Sequence, residues 1–198
     1  KLNNLNPEAD LPLVLKSGGN KLIWDMRYPG YKEFEGMVFY SSPNKGPKAI
    51  PGEYLISLNY NGEIIEQSLK IEKDPRLENT DKDYRDQFDF LINVRNQVTR
   101  ANSAIIKIRE VQKDLNYLKQ KSGLTEEINN LINQFEVKLS HIENNIHMTK
   151  NQSRQDPLNY GIRINNRIAF LLADSQRGDY PPTNQAKAFF REITTELD

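Results

Sequence analysis

Two histidines, one Trp-Asp pair and a complete lack of cysteine bound the chemistry open to this 198-residue chain. His141 and His147 lie six residues apart in a segment whose apolar spacing predicts a helix. Ligands on one helical face fall three, four or seven residues apart, so a six-residue step points the two imidazoles to different sides. No Glu-x-x-His pattern accompanies either one, and both read as solvated surface. Without cysteine there is no disulfide, no thiolate nucleophile and no zinc–thiolate site. Two unplaced histidines without a nucleophile elbow make no case for an activated serine. Ser17-Gly18-Gly19-Asn20 reads as a turn between strands, not as the strand-to-helix junction that cradles phosphate.

Glycoside hydrolysis needs two carboxyl groups flanking one bond, roughly 5 to 10 Å apart. Asp81, Asp83, Glu126 and Glu127 fall in first helical turns, where capping accounts for them, and Asp86 and Asp89 fall on the outer side of a long helix. Asp25 differs: it follows Trp24 near a strand end and is the one acid embedded among aromatics. Trp24, Asp25, Arg27 and Tyr28 are therefore the candidate binding or interface residues. No residue is assigned a catalytic or metal-ligating role, and no cofactor is implied. The group Trp24, Tyr28, Tyr31, Phe34, Phe39 and Tyr40 fits a sugar-stacking platform, but such a cluster more often forms the core and edge of a small sandwich.

The element that must position everything else is a very long amphipathic helix from about Thr80 to about Ser122. Its apolar stripe runs from Tyr84 through Leu91, Val98 and Ile105 to Leu118 in steps of three and four. At 1.5 Å per residue such a helix spans roughly 60 Å, so later segments must pack along it in turn. Thr125 caps a second helix with Ile128, Ile132, Phe135, Leu139, Ile142 and Ile146 in a 4-3-4-3-4 seam, that of an antiparallel helical hairpin. A third helix, with Asp156 as cap and Pro157 in the first turn, buries Ile164, Ile168, Leu171 and Leu172. A fourth, after Pro181-Pro182-Thr183, turns Ala186, Phe189, Phe190, Ile193 and Leu197 inward.

Before the helices, residues 1 to about 76 read as β structure after a loop at Lys1–Asp10. Leu13-Val14-Leu15, Leu22-Ile23-Trp24 and Met37-Val38-Phe39-Tyr40 are short apolar runs separated by turn formers. From Glu53 to Glu72, Asn61-Gly62 predicts a type I′ hairpin in which Tyr54 faces Leu69, Ile56 faces Gln67 and Leu58 faces Ile65. The expected architecture is α+β in two parts: a small sandwich of about five strands over 1–76, which the resemblance described below implies is immunoglobulin-like, then an up-and-down bundle of about four helices over 77–198.

Lys+Arg and Asp+Glu both number 27, so net charge is zero. That gives no case for nucleic acid, which calls for a basic patch, nor for an anionic membrane surface. No apolar run reaches the ~20 residues of a membrane span, and no signal peptide opens the chain. The chain starts at Lys1, as expected of a mature or trimmed fragment.

Three motifs together resemble a known family. They are Gly19-Asn20-Lys21-Leu22-Ile23-Trp24-Asp25-Met26-Arg27-Tyr28-Pro29 with Gly46–Tyr54, then Lys73-Asp74-Pro75-Arg76 leading to Gln87-Phe88, then Gln155-Asp156-Pro157-Leu158-Asn159-Tyr160-Gly161-Ile162-Arg163 through Arg167 with Pro182-Thr183. Their order is similar to the C-terminal region of large exported bacterial proteins with a sortilin-like, BNR-repeat β-propeller, often labelled glycosyl hydrolases. The β part also resembles the immunoglobulin-like domain of flagellar hook-capping proteins. In the family a β-hairpin usually precedes the Trp-Asp motif, so the resemblance implies a sandwich that lacks its first hairpin or is open at one edge. Gly161 stands where many relatives carry proline.

The resemblance implies an exported protein whose ligand-binding or catalytic centre lies in the propeller, with no family catalytic residue mapping onto this segment. The expected function is a non-catalytic accessory region that packs against the propeller, with other proteins or glycan as further candidate partners. Arg27 and Arg163 would pair with carboxylates or carbonyls, and Trp24 would anchor the sandwich. Two alternatives stand beside it. One is a wall of a glycosidase cleft in which Asp25 and its aromatic neighbours touch a glycan; the other is a self-associating helical module, since the seams are coiled-coil-like.

Overall fold

The computed structural model describes residues 16–121 and 123–198. Over that span the chain is α+β: a two-stranded antiparallel hairpin, β1 (Gly52–Tyr60) and β2 (Glu63–Ile71), followed by five helices. These are α1 (Asp81–Lys119), α2 (Glu126–Ile146), α3 (Pro157–Tyr160), α4 (Ile164–Ser175) and α5 (Asn184–Leu197). The expected loop at Lys1–Asp10 and strand at Leu13–Leu15 lie outside the described residues.

The hairpin has the register the turn dictates: Tyr54 opposite Leu69, Ile56 opposite Gln67, Leu58 opposite Ile65. Asn61 and Gly62 both take positive φ, 52° and 86°, the conformation of a type I′ turn. The sheet stops there among the described residues, and the five-stranded sandwich expected from the sequence is not formed by them. Leu22–Trp24 and Met37–Tyr40 join no ladder. Runs of three or four apolar residues do not by themselves select a strand, and at Tyr40 the backbone groups find another partner. The Tyr40 N–H donates to Asn166 Oδ1 at 2.8 Å, and Asn166 Nδ2 donates back to the Tyr40 carbonyl at 3.1 Å. A single bridge joins Arg27 to Lys48, beside Pro47 and Pro51, which have no N–H to extend it.

Thr80 caps α1 in a reciprocal box with Asp83. The apolar stripe then buries Tyr84, Leu91, Val94, Val98, Ala101, Ile105 and Ile108. Around its first half, Val94 and Val98 meet Ile164, Ile168 and Leu172 of α4 and Ile193 of α5. The aromatic segment joins this same core instead of lining a sandwich: Tyr31 is buried in it, with Met37 and Phe39 packed against it. The segment is held by side chains of α1, which carry fixed donors and acceptors to its backbone. Arg95 Nη1 donates to the Pro29 carbonyl at 3.1 Å, and Asn102 Nδ2 to the Lys32 carbonyl at 2.6 Å.

Thr125 caps α2 as expected. Asp156, expected to cap the third helix, does not: its carboxylate accepts from the Gln152 and Ser153 N–H groups and so closes the turn before α3. The chain then breaks at Gly161, and the expected third helix begins only at Ile164. Thr183 caps α5 by accepting from the Ala186 N–H.

Candidate functional site

Trp24, Asp25 and Arg27 form one tight turn. The Arg27 N–H donates to Asp25 Oδ1 at 3.0 Å, closing an Asx turn, while the Trp24 indole N–H donates to the Arg27 carbonyl at 3.0 Å. The Arg27 guanidinium reaches away from the turn, donating to the Gly46 carbonyl at 2.8 Å and to Gln176 Oε1 at 2.7 Å. Gln176 in turn donates to the Lys45 carbonyl, so one arginine fastens the Trp-Asp turn, the 45–47 loop and the end of α4 together. The Trp24 ring lies 5.9 Å from that of Tyr54 on β1. Tyr28 faces α1, its ring edge-on to Phe88 at 4.7 Å, and burial raises the pKa of its hydroxyl. Arg163, expected to find a carboxylate or carbonyl, is exposed at the start of α4.

Gly46 explains why this crossing is so close. A Cβ there would lie 1.9 Å from the Tyr28 carbonyl oxygen and 2.5 Å from that of Pro29. The two strands of chain touch backbone to backbone, with the Tyr28 N–H donating to Pro47 O and the Ala49 N–H to Met26 O. Asp25 itself stays exposed. Trp24 borders a shallow apolar groove shared with Leu22, Met26, Ile56 and Leu69.

A separate cavity of about 120 Å³ lies between the 48–51 segment, the Lys73-Asp74 corner and α1. None of the four candidate residues lines it; Lys48, Asp74, Tyr84, Gln87, Gln176 and Asp179 supply its polar wall. Most of these groups are already engaged. Lys48 pairs with Asp179 at 3.2 Å, Gln87 donates to the Ser175 and Gly178 carbonyls, and Arg76 holds Asp74 down to a pKa of about 2. Tyr84 is buried and its hydroxyl has no partner among the described residues. Burial, with Asp179, Asp74 and Asp81 nearby, raises its pKa and keeps it a neutral donor.

A buried polar ladder, unforeseen from residue spacing, joins α1, the end of α2 and α4. Asn165 Nδ2 donates to Asn102 Oδ1 at 3.1 Å and lies 3.2 Å from His147 Nδ1. His147 is 2% exposed, not the solvated surface expected of it. Phe34 covers it edge-on at 4.9 Å, and Arg109 stacks over the Phe34 ring at 4.8 Å while pairing with Glu143 at 2.8 Å. Burial, and then the Arg109 charge, lower the pKa of the imidazole; the Asn165 contact and Glu143 oppose them. His141 is exposed, as expected. Only the packing of residues distant in sequence could have separated the two histidines.

No three imidazole, carboxylate or thiol groups converge among the described residues, and no helix there is long and apolar enough to cross a membrane. Compared with known proteins, the chain matches no family model, no curated protein and no solved structure.

Proposed function

We propose that the chain is a non-catalytic accessory and interaction region of a larger exported protein of the sortilin-like, BNR-repeat β-propeller kind, packed against the propeller of the same parent. The observation that carries this reading is how the most distinctive residues are engaged. Trp24, Asp25 and Arg27 each close a contact with the chain's own backbone. Meanwhile the hairpin projects with its apolar side chains uncovered, Ile64 at 62% and Ile65 at 64% exposed. Two strands with free edges and bare faces are marginal on their own. The immunoglobulin-like part of the proposal is that this hairpin supplies two strands of a sandwich, the rest coming from other segments of the parent. Its test is an assay of the purified protein on a panel of glycosides. The proposal expects turnover at the level of the blank; hydrolysis that Asp25→Asn abolishes would overturn it.

One observation favours a second reading. Asp25 is exposed and adjoins in sequence Trp24, which borders an apolar groove, an acid next to a ring that could stack on a sugar. As a wall of a glycosidase cleft it would make Asp25→Asn lower turnover by the whole parent protein without lowering its melting temperature. Unchanged turnover in that variant would remove this reading.

A further inference from the structure

The apolar surface of α2 is wider than the one helix that covers it. Ile132, Leu139 and Ile146 are buried against α1, in steps of seven. Beside them runs a second stripe, Ile128, Leu131, Phe135 and Ile142, with exposures of 43%, 59%, 48% and 47%. Its steps of three, four and seven keep it on one side of the helix over about 20 Å. The expected single seam is thus split: alternate members face α1 and the others face outward. The long helix loses its cover at the same level. Ile108 is the last buried residue of α1, and beyond it Tyr117 and Leu118 are exposed.

The result is an arm of two antiparallel helices that extends past the α4–α5 core. A pair of helices is a single layer and leaves one apolar side open; two such layers face to face make a four-helix bundle. The arm is about 25 Å long and two helices of ~10 Å wide, a face on the order of 500 Å² before side-chain relief is counted. That is close to the ~800 Å² of accessible surface that each partner of a standard interface buries.

Charge says what fits on it. Between residues 107 and 121 the α1 side carries five basic and two acidic residues, net +3. Between 126 and 143 α2 carries four glutamates and one lysine, net −3. Pairs within one chain, Arg109–Glu143 and Lys119–Glu136, use part of this. Glu126, Glu127, Lys113 and Lys121 enter no ion pair among the described residues. A second copy laid across the arm sets the acidic α2 of one chain against the basic α1 of the other, twice, by the same symmetry that makes an isologous dimer.

We infer that the α1–α2 arm is a homodimerisation surface, with the stripe Ile128, Leu131, Phe135 and Ile142 at its centre and a second copy of this chain as its occupant. The inference stands apart from the accessory reading, which a monomeric protein would leave untouched. Light scattering on the full chain at micromolar concentration should give twice the 23.0 kDa mass of one chain. Leu131→Glu and Phe135→Glu, both at exposed positions, should each raise the dissociation constant by about 100-fold while the helical circular dichroism stays unchanged. A second pair of variants keeps the test open if either glutamate disturbs folding. Glu126→Lys with Glu127→Lys, and Lys113→Glu with Lys121→Glu, should each weaken self-association alone and recover a dimer when mixed. A single-chain mass at the highest concentration reached, a dimer that neither glutamate variant weakens, or reversed chains that associate no better mixed than alone would each overturn it.

Discussion

His147 is held between Phe34, Asn165 and the Arg109–Glu143 pair, and its imidazole is kept neutral there chiefly by burial and next by the Arg109 charge. Its folded pKa lies below the unfolded value of about 6.5. The unfolded chain therefore takes up the proton first as pH falls. Stability from this group is complete above about pH 6.5 and is lost below it, until the folded pKa is passed. Urea midpoints at about pH 7.5 and about pH 5.5 should show a drop on acidification that His147→Gln reduces; an equal drop in both proteins would place its origin elsewhere. The burial was not legible in the sequence because the groups that cover His147 come from 34, 109 and 165, far from it along the chain. Asp25 was legible as the odd acid among aromatics, yet its carboxylate closes a turn, a role that short-range spacing alone leaves indistinguishable from a ligand-binding one.

At the scale of elements, the hairpin was the most legible part, since Asn61-Gly62 specifies both turn type and register. Gly62→Ala would force a side chain into positive φ and should cost about 1 kcal/mol in unfolding free energy. Gly46→Ala should cost more, about 3 kcal/mol, because its Cβ meets two carbonyl oxygens that cannot move without parting the Trp-Asp turn from the 45–47 loop. Equal melting temperatures for the two variants would show that this crossing yields easily. Helix α1 was legible from its stripe and its Thr80 cap. The strands expected at 22–24 and 37–40 were not, because an apolar run of four pairs with a sheet or docks on helices according to what lies across from it. Across from 37–40 that is Asn166 and Asn102, long-range partners with no local signature.

Across the whole molecule, burial is concentrated where α1, α4, α5 and the Tyr31–Phe39 segment meet, and it thins along the arm and the hairpin. Ile168→Ala, at a fully buried position in that core, should cost roughly 2 to 5 kcal/mol, whereas Leu131→Ala on the arm should stay within about 0.5 kcal/mol in the monomer. Comparable losses at both sites would mean that the arm is already covered within one chain. The order of parts, hairpin first and helices after, was readable from periodicity. The fastening of the loop segment to the helices was not, since it rests on contacts between residues far apart in the chain. Through that fastening the distinctive side chains hold the shape of the molecule. The unfolding free energy of Arg27→Ala tests it most directly, because this one guanidinium ties Gly46 and Gln176 to the Trp-Asp turn. A loss of about 2 kcal/mol is expected; a variant as stable as the unaltered chain would mean that these side chains do not hold the fold.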